Sequence, residues 1–420
     1  MRGSMEVVES GFKETEIGLI PEDWEVVRLG EVAEISSGGS APQGKEYFEG
    51  NSPFIRVQHL DNDNYKIKGC DYITDEAVKK YKLKLYPKDT IIFPKSGASI
   101  YLEKRAKLPF DAYIVSHLMA VRSKSRLLLQ DYLFFNLVSK KLSKDKADNY
   151  PTLNISEVSQ IPIPLPPPEE QKAIADILST VQNAIEKTEK VIDATKQLKK
   201  SMMKHLFTYG AVAVDEIYKV KLKESEIGLI PEDWEVVRLG EVAEMTMGQS
   251  PPGDTYNTSG KGIPFLQGKA EFGNISPRHI KYTTKPLKIA KKGSVLISVR
   301  APVGDVNIAN MDYCIGRGLA SLNLKNGINE FLFYSLLYFK DLIEKESYGS
   351  VFKAINKENL ARLKIPLPPL DEQQKIANIL TTIDHKIQAE EKKKQALQNL
   401  FKTLLQQLMT GKIRVKKAKT

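Results

Sequence analysis

EIGLIPEDWEVVRLGEVAE occupies Glu16–Glu34 and, letter for letter, Glu226–Glu244, 210 positions further along. Over the wider windows 13–38 and 223–248, 22 of 26 positions agree. A second string, IPLPPPEEQKAIADIL from Ile163, is answered at an offset of 202 by IPLPPLDEQQKIANIL from Ile365. The long blocks between these strings hardly resemble each other. The chain therefore reads constant–variable–constant twice, the mark of a duplicated unit. A frame that is kept while its filling changes does one job at two different addresses.

At 420 residues with 41% hydrophobic content, two or three domains with real cores are expected. No apolar run approaches the ~18 residues of a membrane span, and no signal-peptide core opens the chain. Cys70 and Cys314 lie in different blocks without a CxxC, which argues against a disulfide framework or zinc ribbon. A cytoplasmic protein without a membrane partner is the expectation.

The net charge of +10 is unevenly placed. Block 39–160 has 20 Lys/Arg against 14 Asp/Glu, and block 249–363 has 16 against 9. The repeated segments 13–38 and 223–248 each have 2 against 7. A polyanion would be drawn to the variable blocks and repelled by the constant segments, which suit protein contacts better. A Lys-rich surface that merely keeps the chain in solution explains the charge equally well.

Proline excludes helix from Pro162–Pro168, which reads as a stiff extended connector. A helix is predicted directly behind it, over 169–209, with Glu169 and Glu170 at the positive end of its dipole and Gly210 as its stop. Ile174, Ile177, Leu178, Val181, Ile185 and Ile192 recur at the 3–4 spacing of an amphipathic face. The second copy repeats the design over 371–410, ending at Gly411. Helices of about 40 residues, roughly 60 Å long, should not stand alone with a wet apolar stripe, so the two are expected to pair antiparallel and coiled-coil-like. Two helices folded back separately on their own domains are the alternative.

The variable blocks read as mixed α/β, with strands at Thr90–Phe93 and Ser294–Val299 and helical patches at Tyr132–Val138 and Phe331–Phe339. The whole is then an α+β chain, two globular α/β domains separated by long helices, with an internal pseudo-two-fold repeat. Its parts are 1–160, 161–210, 211–363 and 364–420.

Most candidate chemistry fails. Gly39–Lys45 approaches a P-loop, but Glu46 stands where a hydroxyl must hold Mg²⁺, so a surface turn is expected. The five histidines are scattered without metal-ligand spacing. There is no nucleophile elbow, dinucleotide fingerprint or methyltransferase loop; Ser250-Pro251-Pro252-Gly253 lacks both the amide and the aromatic. What remains suits DNA. Donors sit beside glycines in turns, Lys95-Ser96-Gly97 in the first block and Arg300-Ala301-Pro302-Val303-Gly304 in the second. Arg or Lys on such a loop can approach a base edge or a phosphate. Further donors are Arg56, Gln58, His59, Arg105 and His117, then Gln267, Lys269, Arg317 and Lys353. For any one of them a solvated surface charge is an equally good account.

IGLIPEDWEVVRLGEV, the IPLPP string before EQ, the helix behind each, and Ser298–Gly304 together resemble the specificity subunit of type I restriction–modification systems. The resemblance covers almost the whole chain. It implies two target-recognition domains, here 39–160 and 249–363, and a spacer helix pair, here 169–209 and 371–410. It implies a non-catalytic chain that reads a bipartite, asymmetric double-stranded DNA target. Two methyltransferase (modification) subunits and restriction/translocase subunits would be its partners, with S-adenosylmethionine, ATP and Mg on those partners only. The first block departs from the pattern, having Pro94-Lys95-Ser96-Gly97 in place of SVRAPVG. Two other classes stand against this reading: a stand-alone restriction or modification enzyme, and a coiled-coil scaffold without DNA specificity.

Overall fold

The computed structural model describes residues 11–61, 65–143, 151–341 and 354–415; Lys353 lies outside them. The chain divides into two compact units, Met1–Lys190 with Lys392–Thr420, and Val191–Glu391. This division differs from the four consecutive parts expected from sequence, because both long helices are shared. Side chains on each helix pack into whichever block they touch. The first unit's core takes Ile174, Leu178 and Ile185 from one helix and Phe401, Leu404 and Leu408 from the other. The second unit's core takes Met203, Leu206 and Phe207, with Ile376, Ala377 and Leu380.

The duplicated strings fold alike. In the first unit a hairpin, Phe12–Thr15 with Gly18–Pro21, leads to the strand Glu25–Arg28, one helical turn and the strand Ala33–Ser37. In the second unit Leu222–Ser225, Gly228–Pro231, Glu235–Arg238 and Ala243–Met247 repeat that order. The proline-rich strings are more than connectors. Pro162–Leu165 runs antiparallel to Glu25–Arg28, and Lys364–Leu367 antiparallel to Glu235–Arg238. Pro162 and Pro164 alternate, so both fall on one edge and leave Ile163 and Leu165 to donate to the ladder. The two constant strings of each copy are thus halves of one frame.

Each frame carries its variable block on the same sheet. Ala33–Ser37 pairs with Leu118–Ser123, followed by Ile91–Pro94 and Ala106–Lys107. Ala243–Met247 pairs in the same way with Leu319–Leu324, followed by Val295–Ser298 and Val306–Ile308. The outer sheets differ, with four strands in the first unit and five in the second. The apolar patches form Gln130–Ser139 and Asn329–Tyr338, buried against these sheets. Lys45–Phe48 is a single 3₁₀ turn, too short to cradle phosphates.

The long helices span Pro168–Tyr209 and Leu370–Met409. Gly210 (φ +80°) and Gly411 (φ +67°) end them in the left-handed conformation. Within the second unit Lys196 pairs with Glu391 at 2.9 Å and Lys199 with Asp384 at 2.7 Å, which sets the helices antiparallel. Within the first, Lys394 pairs with Glu189 at 2.6 Å. A carboxylate near each helix start latches the frame. Glu372 accepts from the Trp234 indole (2.9 Å) and from the Ala211 amide just past Gly210 (3.0 Å). Glu170 accepts from the Trp24 indole (3.0 Å) and from the guanidinium of Arg414, just past Gly411 (2.8 Å). Both tryptophans are fully buried.

Candidate nucleic-acid interface

Three loops of the second unit converge because the backbone binds them together. Val299 donates to Gly318 O (3.0 Å) and Gly316 to Leu266 O (2.7 Å). Arg300, Arg317 and Gln267 thereby share one rim. The Ser298 hydroxyl tightens the first loop, accepting from the Asp305 amide (3.0 Å) and donating to Pro302 O (2.9 Å). Gly304 turns it at φ +87°. Arg300 and Arg317 are exposed and take no acidic partner among the described residues. Gln267 lies 3.5 Å from the Ser250 hydroxyl, which also accepts from the Arg317 amide (3.4 Å). Nothing in the sequence marks Ser250 as a binding residue: its Ser-Pro-Pro-Gly string carries no charge, and only the fold brings its hydroxyl between Gln267 and Arg317.

Lys269 is exposed but ion-paired with Asp305, which also holds Lys340 at 2.7 Å. Burial raises the Asp305 pKa, and the two lysine ammonium groups outweigh it, so the carboxyl titrates below the usual aspartate range.

The first unit presents a different rim. Ser96 bridges Thr152 as Arg300 bridges Ala354, and Lys95 donates to His117 O (2.9 Å) as Val299 donates to Gly318 O. Ser96, not Lys95, is therefore the structural counterpart of Arg300. Its hydroxyl lies 2.6 Å from His117 Nδ1, and His117 is exposed. Lys95 is half-buried and Gln58 exposed.

Arg105 and His59, expected as DNA donors, are instead buried. Arg105 is 2% exposed, salt-bridged to Glu103 at 2.6 Å and stacked 5.1 Å from the Phe93 ring. Glu103 in turn accepts from the Leu142 and Ser143 amides (3.2 and 2.8 Å). That arginine is a strut between loops, with no face left for DNA. His59 is buried, its Nδ1 accepting from the Arg56 amide at 3.0 Å. Burial depresses its pKa against the opposing pull of Asp71. Arg56 is half-buried, its Nε pairing with Asp71 at 2.7 Å and its guanidinium lying over the Phe48 ring, 4.8 Å from the centroid. Lys353 lies outside the described residues.

Among the described residues no cluster of three or more His, Cys, Asp or Glu could hold a metal ion, and no helix is long and apolar enough to cross a membrane. What the rims offer is bidentate and single donors for base edges and phosphates, different in the two units.

The model of the type I restriction modification DNA specificity domain matches twice, over residues 21–195 and 231–399, once on each frame with its block. The chain belongs to the family of type I restriction–modification specificity subunits. A specificity subunit assigned to the type I restriction enzyme MjaX of Methanocaldococcus jannaschii is 42% identical, over 97% of this chain and 98% of that protein. The MjaVIII specificity subunit of the same organism is 31% identical over 97% of both chains. Among solved structures, a chain from work on complex assembly and conformational transition of the type I R-M system covers 94% of this one and 99% of itself, with 29% identity and a TM-score of 0.54. The type I S subunit of M. genitalium, 16% identical with a TM-score of 0.64 over 92% of this chain and 96% of its own, shares the fold. A specificity subunit is the DNA-recognising, non-catalytic member of its restriction–modification enzyme, which fits the basic blocks and the two donor rims.

Proposed function

We propose that this specificity subunit reads a bipartite, asymmetric duplex target, one half-site through each variable block. It holds two methyltransferase subunits, and translocase/nuclease subunits, over that target. The observation that carries the reading is the contrast within the duplication. Frames with matching strands, latches and helix starts carry unlike rims, Ser96 with His117 in one unit and Arg300 with Arg317 and Gln267 in the other. Closely similar frames suit two copies of one partner, and unlike rims suit two different base sequences. S-adenosylmethionine, ATP and Mg chemistry belongs to the partner subunits. Mapping methylated adenines in host DNA with and without this chain tests the proposal. One split, non-palindromic motif should lose its methylation when the chain is removed. Unchanged methylation, or loss at a single continuous motif, would contradict it.

A further inference from the structure

The second unit contains a cleft of about 730 Å³ between the C-terminal half of the first long helix and the end of the helix Asn329–Tyr338. Five of its eleven lining residues are lysines and one, Asp341, is acidic. Lys196, Lys200 and Lys204 follow one another at i, i+4 and i+8, which places them on one helix face at intervals of about 6 Å. Lys200 and Lys204 are exposed, with no acidic partner among the described residues. Met203, Leu337 and Tyr338 form an apolar wall, with Tyr338 stacked on Phe207 at 5.0 Å.

Two contacts join this cleft to the donor rim. Lys340 on its far side shares Asp305 with Lys269, two residues past Gln267. Lys196 shares Glu391 with Asn274, on the same loop as Lys269. The first unit lacks the row. At the equivalent positions of the second long helix stand Gln398, Phe401, Lys402 and Gln406, and Phe401 is buried in the core.

We infer that this lysine-lined cleft is a backbone-phosphate site, extending the DNA footprint of the second unit, and of that unit alone, onto the long helix. The inference rests on DNA recognition by this chain. A row of about 12 Å spans three to four phosphates of one strand, and lysines on flexible stems serve as point charges without base preference. Charge complementarity favours a duplex over an acidic protein surface, because the row is continuous with the rim proposed to read bases.

Lys200→Gln with Lys204→Gln, both exposed, tests it in the full chain with modification subunits. Binding is measured against salt on target and random duplexes, with Lys402→Gln as control. The double variant should weaken both duplexes by the same factor and make the slope of log affinity on log salt shallower by about 1.8, leaving the methylated sequence unchanged. Lys402→Gln should leave the slope at its parental value. An unchanged slope in the double variant overturns the inference, as does unchanged DNA binding with weakened retention of modification subunits, which would make the cleft a protein contact. Equal binding of target and random duplex by the parent chain would instead strike at the proposed function. A shallower slope on both duplexes would still support the cleft.

Discussion

Arg300 stands exposed at a bridge to Ala354, on a loop fixed by the Ser298 hydroxyl and by Gly304. A side chain held from its backbone inward and free at its tip can lay a bidentate fork on a guanine edge. Arg300→Ala should therefore cost roughly 1–3 kcal/mol of target affinity and relax base choice at one position. Lys95→Ala should lower affinity evenly across sequences. Quantifying methylation at single-base variants of the target decides this, and an Arg300→Ala enzyme with unaltered affinity and target choice would remove Arg300 from the interface. The glycine-flanked turn made Arg300 legible in the sequence. Arg105 looked the same as a residue type, but Glu103, two positions away, and Phe93 draw it inside. A cation's identity carries no information about whether an acid at its inner end is waiting for it. Glu170 shows the converse: sequence explained it as a dipole partner, while Trp24 and Arg414, 146 and 244 residues distant, make it a latch.

The two long helices were readable to within a residue or two, because a 3.6-residue apolar period between a proline and a glycine admits little else. The proline strands were not readable, since their ladder partners lie more than a hundred residues away. The helix ends also differ between units in a way composition concealed. Phe401 meets Phe135 at 6.1 Å between ring centroids in the first unit. At the equivalent place in the second, Lys199 pairs with Asp384 and lies 5.2 Å from the Tyr334 ring, whose hydroxyl donates to Asp384 at 2.8 Å. Burial, together with the Asp384 carboxylate, drives the Tyr334 pKa far above its ordinary value, so it remains a donor. Removing one member strands a buried charge, whereas replacing the pair with apolar groups does not. Lys199→Ala should destabilise the chain by about 3–5 kcal/mol, while Lys199→Met with Asp384→Leu should recover most of that loss in denaturant unfolding. A double variant as unstable as the single one would mean the pair contributes net stability in its own right.

Across the whole molecule, two frames with the same strand registers carry different blocks, and the constant–variable pattern announced this division before any coordinate. It could not announce that each frame borrows half of each long helix, because helical periodicity does not say which core a face will enter. The interchangeability of the frames is the central claim, and the structure sets the boundaries for testing it. Leu29 donates to Ile161 O (2.9 Å) as Leu239 donates to Leu363 O (2.8 Å), so residues 39–160 should dock in place of 249–362. Lys199→Phe and Asp384→Gln would give the second frame the residues at the equivalent positions of the first, Phe401 and Gln182, of which Phe401 meets Phe135. The measurement is the methylation map of DNA from cells carrying this chimera with its modification subunits. The account predicts a symmetric target in which the first half-site occurs twice and the second has vanished. A folded, active chimera that still methylates the original asymmetric target would contradict it.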